Sequence, residues 1–339
     1  MTKAFIAGCS GLALSAYEHA FFADQQPWGL ILFKRNCDTP DQIRALVDDF
    51  RGVVDRPDAP VLIDQEGGRV QRLGPPQWPA YPSPAALVAA ADGDEARLGR
   101  LAYLHGRLIA ADLIALGITV DCLPVLDVRF AETHAIIGDR SFGADPDFVS
   151  RAALRQTDGL MDGGVLPVMK HIPGHGRARV DSHLDLPRVE ASVEDLHAKD
   201  FRTFRMLASQ IPIAMTAHIV YTALDAERPA TTSPIVVRDI IRGEMGFDGL
   251  LMTDDLSMKA LSGSFRDRAR ALFAAGVDLA LHCNGDLGEA REVAAEAPAL
   301  SGKALERAEK ALARIAGERL AFDPVDSREK LAAMLASAA

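Results

Sequence analysis

Eight short apolar runs punctuate this 339-residue chain, each followed by a stretch with helical periodicity, and that alternation limits the folds open to it. The runs span about Ala4–Gly8, Gly29–Phe33, Pro60–Ile63, Ile118–Leu126, Leu166–Met169, Ile211–Ala217, Gly249–Met252 and Val277–Leu281. A strand that is apolar throughout needs cover on both faces, and a parallel sheet wrapped in helices supplies it. Eight β-α units within about 290 residues predict an α/β fold of the (β/α)8 kind, a TIM barrel. The rival is an open doubly wound sheet, but no G-x-G-x-x-G or P-loop turn follows the early strands.

The helices have readable ends. Thr39 can cap one, with Pro40 at its first position and Gln42 closing a capping box. Ile43, Leu46, Val47 and Phe50 then form one apolar stripe. Ser233-Pro234 opens another, with Val237, Ile240 and Ile241 on a shared face and Gly246 as its stop. Asp94 to Leu116 reads as a long helix ended by Gly117. The Ala/Glu/Lys/Arg-rich tail after Asn284 is expected to be helical, closing the barrel and packing on its outside. No repeat, low-complexity tract or linker interrupts residues 1–339, so a single domain with long active-site loops is expected.

A formal charge of −10 argues against nucleic acid or an anionic membrane as partner. Cys9, Cys37, Cys122 and Cys283 lie far apart without C-x-x-C spacing, as expected of reduced thiols in a cytoplasmic protein. Lys3 and the residues Ala4 to Cys9 faintly resemble a secretion or lipoprotein signal. Their apolar stretch is about five residues, short of the roughly 7–15 of a signal core, so a first barrel strand is the better reading. No run approaches the ~18 apolar residues of a membrane span.

Polar groups recur where the strands end: Asp64, Asp127, Lys170 with His171, His218, Asp254 with Asp255, and His282. In a barrel these ends converge on the face where active sites lie. An Asp at one strand end can simply cap the next helix, but a recurrence at six ends is harder to attribute to capping. Two connections exceed the roughly 12–15 residues beyond which loops tend to be functional or disordered. Residues 65–93 start Gln65-Glu66-Gly67-Gly68-Arg69 and contain Pro75, Pro76, Pro79, Pro82 and Pro84. Residues 171–191 carry the histidine-rich segment whose core, residues 170–183, reads KHIPGHGRARVDSH.

His171, His175, His183 and His218 are candidate metal ligands, but the helix-borne H-E-x-x-H and strand H-x-H patterns are absent. His175 can instead hydrogen-bond the loop backbone. Asp181 and His183, two residues apart, can form a carboxylate-imidazole pair that moves a proton near neutral pH. Asp254, at a strand end, could then be a nucleophile.

IDQEGGRVQRL (63–73), the KHIPGHG…DSH segment (170–183), AMTAHIVY (214–221) and GFDGLLMTDDLSM (246–258) together resemble family 3 glycoside hydrolases. Within that family the chain is most similar to the single-domain β-N-acetylhexosaminidases of bacterial peptidoglycan recycling. The resemblance runs from GLILFKRN (29–36) to the strand at 277–283. Ile172 stands where the family motif has an aromatic residue. The resemblance implies Asp254 as nucleophile and His183 as general acid/base supported by Asp181. It implies substrate binding by Asp64, Arg72, Arg140, Lys170 and His171; the lesser alternative for each arginine is a structural ion pair.

It further implies a retaining double displacement on terminal β-linked N-acetylglucosamine, chiefly on 1,6-anhydro-N-acetylmuramic acid with or without peptide. No metal or organic cofactor is implied, and the expected partner is this small carbohydrate, met by a cytoplasmic monomer without nucleic acid or membrane. The alternatives are a phosphorylase that passes the sugar to phosphate, a sugar-binding protein without turnover, and a metal-dependent hydrolase.

Overall fold

The computed structural model describes residues 1–130, 136–178, 180, 182, 185–317 and 319–336. Eight parallel strands close a barrel: β1 (Lys3–Gly8), β2 (Pro27–Leu32), β3 (Val61–Ile63), β4 (Val120–Asp121), β5 (Leu166–Ile172), β6 (Ile213–Thr216), β7 (Leu250–Asp255) and β8 (Leu279–His282). Each pairs with its neighbours in sequence, and β8 closes on β1 through Phe5–Ala280 to Ala7–His282. The expected (β/α)8 barrel is therefore the observed one, and the chain's first apolar run is a barrel strand.

Three strands whose limits differ from the expected ones bear on the site. The run 118–126 pairs regularly only at Val120–Asp121, because Pro124 has no N–H for a ladder. The chain then rejoins β5 through the Leu126 N–H, which donates to the Lys170 carbonyl at 2.8 Å. In return β5 and β7 run longer than expected. Lys170, His171, Asp254 and Asp255 thus sit within strands.

Two apolar layers hold the barrel. Ile6, Ile31, Leu62, Val168, Met215 and Met252 fill its interior, while a larger cluster packs the outer strand faces against the helices. The helix Pro40–Val53 is capped by Thr39 and buries Ile43, Leu46, Val47 and Phe50, as its stripe predicts. Its Gln42 reaches back to the Asp38 N–H (3.0 Å), one residue before the expected capping-box partner. The helix Val236–Glu244 buries Val237, Ile240 and Ile241 and is wound wide, with i→i+5 bonds such as Met245 N–H to Ile240 O at 2.9 Å. Helices Glu95–Ile114 and Pro146–Asp162 touch backbone to backbone: a Cβ on Gly106 would lie 2.2 Å from the Gln156 carbonyl oxygen.

The tail does more than pack outside. Leu300 N–H donates to the Thr2 carbonyl (2.8 Å), and Ala308 and Ala311 of helix Gly302–Ala313 join the interior cluster beneath Ala4 and Trp28. The floor of the barrel is thereby closed. Helix Pro324–Ala336 lies outside, pairing Arg328 with Asp112 of helix Glu95–Ile114. Among the described residues no helix is long and apolar enough to cross a membrane.

The long connection after β3 is structured. It forms a hairpin, Gln65–Gly67 with Val70–Gln71, and a helix, Pro84–Ala91, capped by Ser83. His105 anchors it: its ring sits between the Pro82 carbonyl (Nε2, 3.1 Å) and Gln156 Nε2 (Nδ1, 2.9 Å), so Nε2 carries the proton and Nδ1 accepts. Burial pushes this imidazole from its ordinary 6.5 down to about 4, so the folded state resists a proton that the unfolded chain takes up. The stability that His105 contributes is full above about pH 6.5 and is lost as pH falls toward 4, a swing on the order of 3 kcal/mol. In urea titrations across that range, His105→Gln, which keeps a donor for Pro82, should flatten the fall in midpoint. An unchanged slope would place the acid sensitivity elsewhere.

Candidate active site

The segment that follows β3 builds one wall of a cavity over the C-terminal ends of the strands. Gln65 acts as a splint, its Oε1 accepting the Arg72 and Leu73 N–H groups (2.9 and 3.0 Å) and its Nε2 donating to the Leu73 carbonyl (2.9 Å). Gly67, at φ +86°, passes so close to the Pro82 carbonyl that a Cβ would sit 2.3 Å from its oxygen. The hairpin can therefore fold back over the barrel mouth and deliver Arg72. Arg72 donates to Asp64 Oδ2 at 2.9 Å and lies 4.9 Å over the Phe33 ring.

Lys170, projecting from β5, meets Asp64 Oδ1 and Glu66 Oε1, each at 2.7 Å. Arg140 grips Glu66 with two bonds, Nε to Oε2 at 2.8 Å and Nη2 to Oε1 at 2.7 Å. Burial disfavours all these charges, yet their mutual attraction prevails. Arg140 and Lys170 hold Glu66 down at about 2, Lys170 and Arg72 hold Asp64 well below the usual carboxylate range, and the two carboxylates raise Lys170. The cluster is a five-membered set of fixed charges, two anions and three cations.

Asp127, fully buried behind β5, organises the turn that follows. Its carboxylate accepts His171 Nδ1–H at 2.6 Å and the backbone N–H of His175 at 2.5 Å. Burial opposes its charge, but His171 and His175 bring its pKa below the ordinary value. With Nδ1 committed to Asp127, His171 presents Nε2 to the cavity, which it lines.

The adjacent aspartates at the end of β7 have different situations. Asp255 Oδ1 accepts the Ser257 and Cys283 N–H groups, each at 3.0 Å, and its Oδ2 takes the Ser257 hydroxyl. Both oxygens are tied to backbone and loop. Asp254 has a single hydrogen-bond partner among the described residues, the Asp255 N–H (2.8 Å), which leaves its other oxygen open to the cavity. Burial works against its charge, but His171, the Asp255 N–H and Lys170 outweigh it and hold the carboxyl below the usual range. His218, kept neutral by burial, donates Nε2–H to the Asp255 carbonyl (3.0 Å) and so steadies this strand end.

The cavity holds about 230 Å3 and gathers Asp64, Arg72, Arg140, Lys170, His171 and Asp254, six of the residues expected from the sequence. Asp181 and His183 lie outside the described residues. His282, expected among the polar groups at the mouth, turns away instead, packing on Phe265 and meeting Glu289 at 3.1 Å, because its position in the strand faces the helices. The ion pairs entertained for the arginines do form, on the cavity wall itself. Glu66, the Gln65 splint and the Asp255 tether were not assigned from sequence. Glu66 was visible as an acid inside a Gly-Gly-Arg turn, whereas the Asp255 bonds depend on Cys283, 28 residues away.

A closed barrel with one open, ionised carboxylate among fixed cationic donors is the framework of an enzyme that attacks a polar substrate through an acid side chain. Residues 10–317 match the N-terminal domain of glycosyl hydrolase family 3. A β-hexosaminidase of Alkalilimnicola ehrlichii is 39% identical over 280 residues, covering 82% of this chain and 79% of that protein. One of Chromobacterium violaceum is 37% identical over 317 residues, covering 93% and 87%. The crystal structure of NagZ from Neisseria gonorrhoeae in complex with N-trifluoroacetyl-D-glucosamine is 31% identical with a TM-score of 0.84, covering 99% of this chain and 97% of that one. The chain belongs to glycosyl hydrolase family 3.

The contrast between the two aspartates is measurable. Asp255→Ala should lower the urea-derived stability by about 1–3 kcal/mol, because the Cys283 N–H loses its acceptor. Asp254→Asn keeps an oxygen for the Asp255 N–H and should change stability by no more than about 0.5 kcal/mol. Equal losses would mean that both acids are structural.

Proposed function

We propose that this protein is a retaining β-N-acetylhexosaminidase that removes terminal N-acetylglucosamine from cell-wall muropeptides, GlcNAc-1,6-anhydroMurNAc with or without its peptide. The observation that carries the reading is Asp254: ionised and, among the described residues, held by one N–H and open on its other oxygen, as a carboxylate must be to attack an anomeric carbon. Membership of the family and the hexosaminidase names of its relatives supply the sugar class.

Asp254 attacks the anomeric carbon while the His183 imidazolium, oriented by Asp181, gives its proton to the departing oxygen. The glycosidic bond breaks and a glycosyl ester forms. Neutral His183 then takes a proton from water, whose oxygen attacks the same carbon and releases Asp254. Asp64 accepts hydrogen bonds from ring hydroxyls; Arg72, Arg140 and Lys170 donate to sugar oxygens with charge assistance, and His171 adds its Nε2. Because the charged groups already satisfy one another, they are held in place before substrate arrives and need little reorganisation. We place the protein in the cytoplasm as a monomer and a single domain; its four buried, unpaired cysteines suit a reducing compartment.

A muropeptide incubated with the protein, with and without phosphate, and read by mass spectrometry should yield free N-acetylglucosamine in both cases. Sugar 1-phosphate as the main product would make the protein a phosphorylase, and no product at all would make it a binding protein. A slow fluorinated glycoside should label Asp254, and Asp254→Asn should abolish turnover. A label on Asp255 would overturn the assignment.

His183→Ala should badly slow substrates with alkoxide leaving groups and spare the first step on activated aryl glycosides, which depart unprotonated. Equal losses on both would reduce His183 to a binding role.

A further inference from the structure

Asp121 ends β4 fully buried, 0% exposed, and takes no part in the chemistry described above. Its Oδ1 accepts the Gln65 N–H at 3.0 Å, and among the described residues its Oδ2 has no hydrogen-bond partner. The place of that one bond matters. Gln65 stands between Asp64 and Glu66, the two carboxylates that meet Lys170.

A side chain is needed here because the ladder runs out. β3 and β4 pair at Leu62–Val120 and Ile63–Asp121, and the Cys122 N–H still donates to the Ile63 carbonyl at 2.8 Å. The chain then turns ahead of Pro124, the Leu123 N–H closing back on the Asp121 carbonyl at 2.8 Å. Meanwhile the residues after β3 leave the barrel wall for the hairpin that starts at Gln65. The Gln65 N–H, buried at this fork, finds its acceptor in the Asp121 carboxyl, since a buried donor left unsatisfied is costly. Gln65 is therefore held twice, its backbone by Asp121 and its side chain by residues 72 and 73. The carboxyl does this without adding a third anion to the cluster. Burial, aided by the charges of Asp64 and Glu66, pushes Asp121 well above the ordinary carboxylate range.

We propose that Asp121 is a positioning residue of the sugar-binding wall: by clamping the backbone N–H between Asp64 and Glu66 to β4, it sets the direction in which both carboxylates meet Lys170 and the ring hydroxyls. A peptide unit is planar, so fixing the Gln65 N–H fixes the Asp64 and Gln65 Cα atoms together, and Glu66 follows at about 3.8 Å. The inference rests on the proposed role of Asp64 and its neighbours in holding the sugar.

Asp121→Ala removes the acceptor, whereas Asp121→Asn keeps one in the same place and, like a neutral acid, carries no charge. In calorimetric titrations with N-acetylglucosamine, Asp121→Ala should raise Kd about tenfold, the scale of one lost hydrogen bond. On an aryl N-acetylglucosaminide kcat/KM should fall alongside, and Asp121→Asn should recover most of both losses. Val149→Ala, buried on helix Pro146–Asp162 and not lining the cavity, serves as a destabilised control and should leave Kd unchanged. Unchanged Kd in Asp121→Ala, an equal loss in Asp121→Asn, or an equal loss in Val149→Ala would overturn the positioning role. Asp64→Asn run alongside separates the two ideas: unchanged Kd there would refute Asp64 as a sugar ligand. The clamp is read without any sugar, as non-additive urea-derived stability losses in Asp121→Ala with Asp64→Asn. Additive losses would overturn it.

Discussion

The Lys170 ammonium sits at the mouth of the barrel, 2% exposed, with the Asp64 and Glu66 carboxylates each 2.7 Å away. A cation so placed cannot be left unanswered; removing one partner from such a buried pair costs about 3–5 kcal/mol. The requirement propagates outward. Glu66 must stay over the mouth, so the hairpin must fold back, which demands glycine beside the Pro82 carbonyl and the Gln65 splint beneath Arg72. Glu66 in turn needs Arg140, which fixes the chain after residue 136 against the cavity. One buried charge therefore organises three separate segments into a single wall.

That wall also sets the electrostatics of the cavity. The cations are matched by anions within hydrogen-bonding distance, so no large unbalanced field is available to hold an anionic ligand. What is offered is a dense array of donors and acceptors with fixed directions. Such a surface suits a ligand rich in hydroxyls, whose groups both give and take hydrogen bonds. Asp254 differs from its neighbours here because, among the described residues, no guanidinium or ammonium bonds it directly, and its second oxygen keeps its nucleophilic lone pairs.

Much of this was legible in the chain. The barrel followed from strands apolar on both faces, a property of composition along each run, and β1 to β8 fall on the eight expected runs. Pro124 was the local exception: its missing N–H shortened the fourth strand, and the length of β5 moved Lys170 and His171 from a loop into the ladder. The strand-end acids and bases were equally visible, but their division of labour was not. Asp127 and Asp255 look like Asp254 in sequence, yet each is consumed by backbone N–H groups that only the folded chain brings near. His282 misled because strand position tells which end a side chain occupies before it tells which face.

The closed floor of the barrel has a consequence for traffic. Trp28, Ala4 and the two alanines of helix Gly302–Ala313 pack across the end of the barrel away from the cavity, beneath an interior already filled with apolar side chains. A ligand is not threaded along that axis; it is met from the cavity side. What enters from that side also leaves on it, and the portion nearest the solvent departs before the portion behind it. Order of departure is thus imposed by plumbing, and a freshly made product always stands in the doorway of the next arrival.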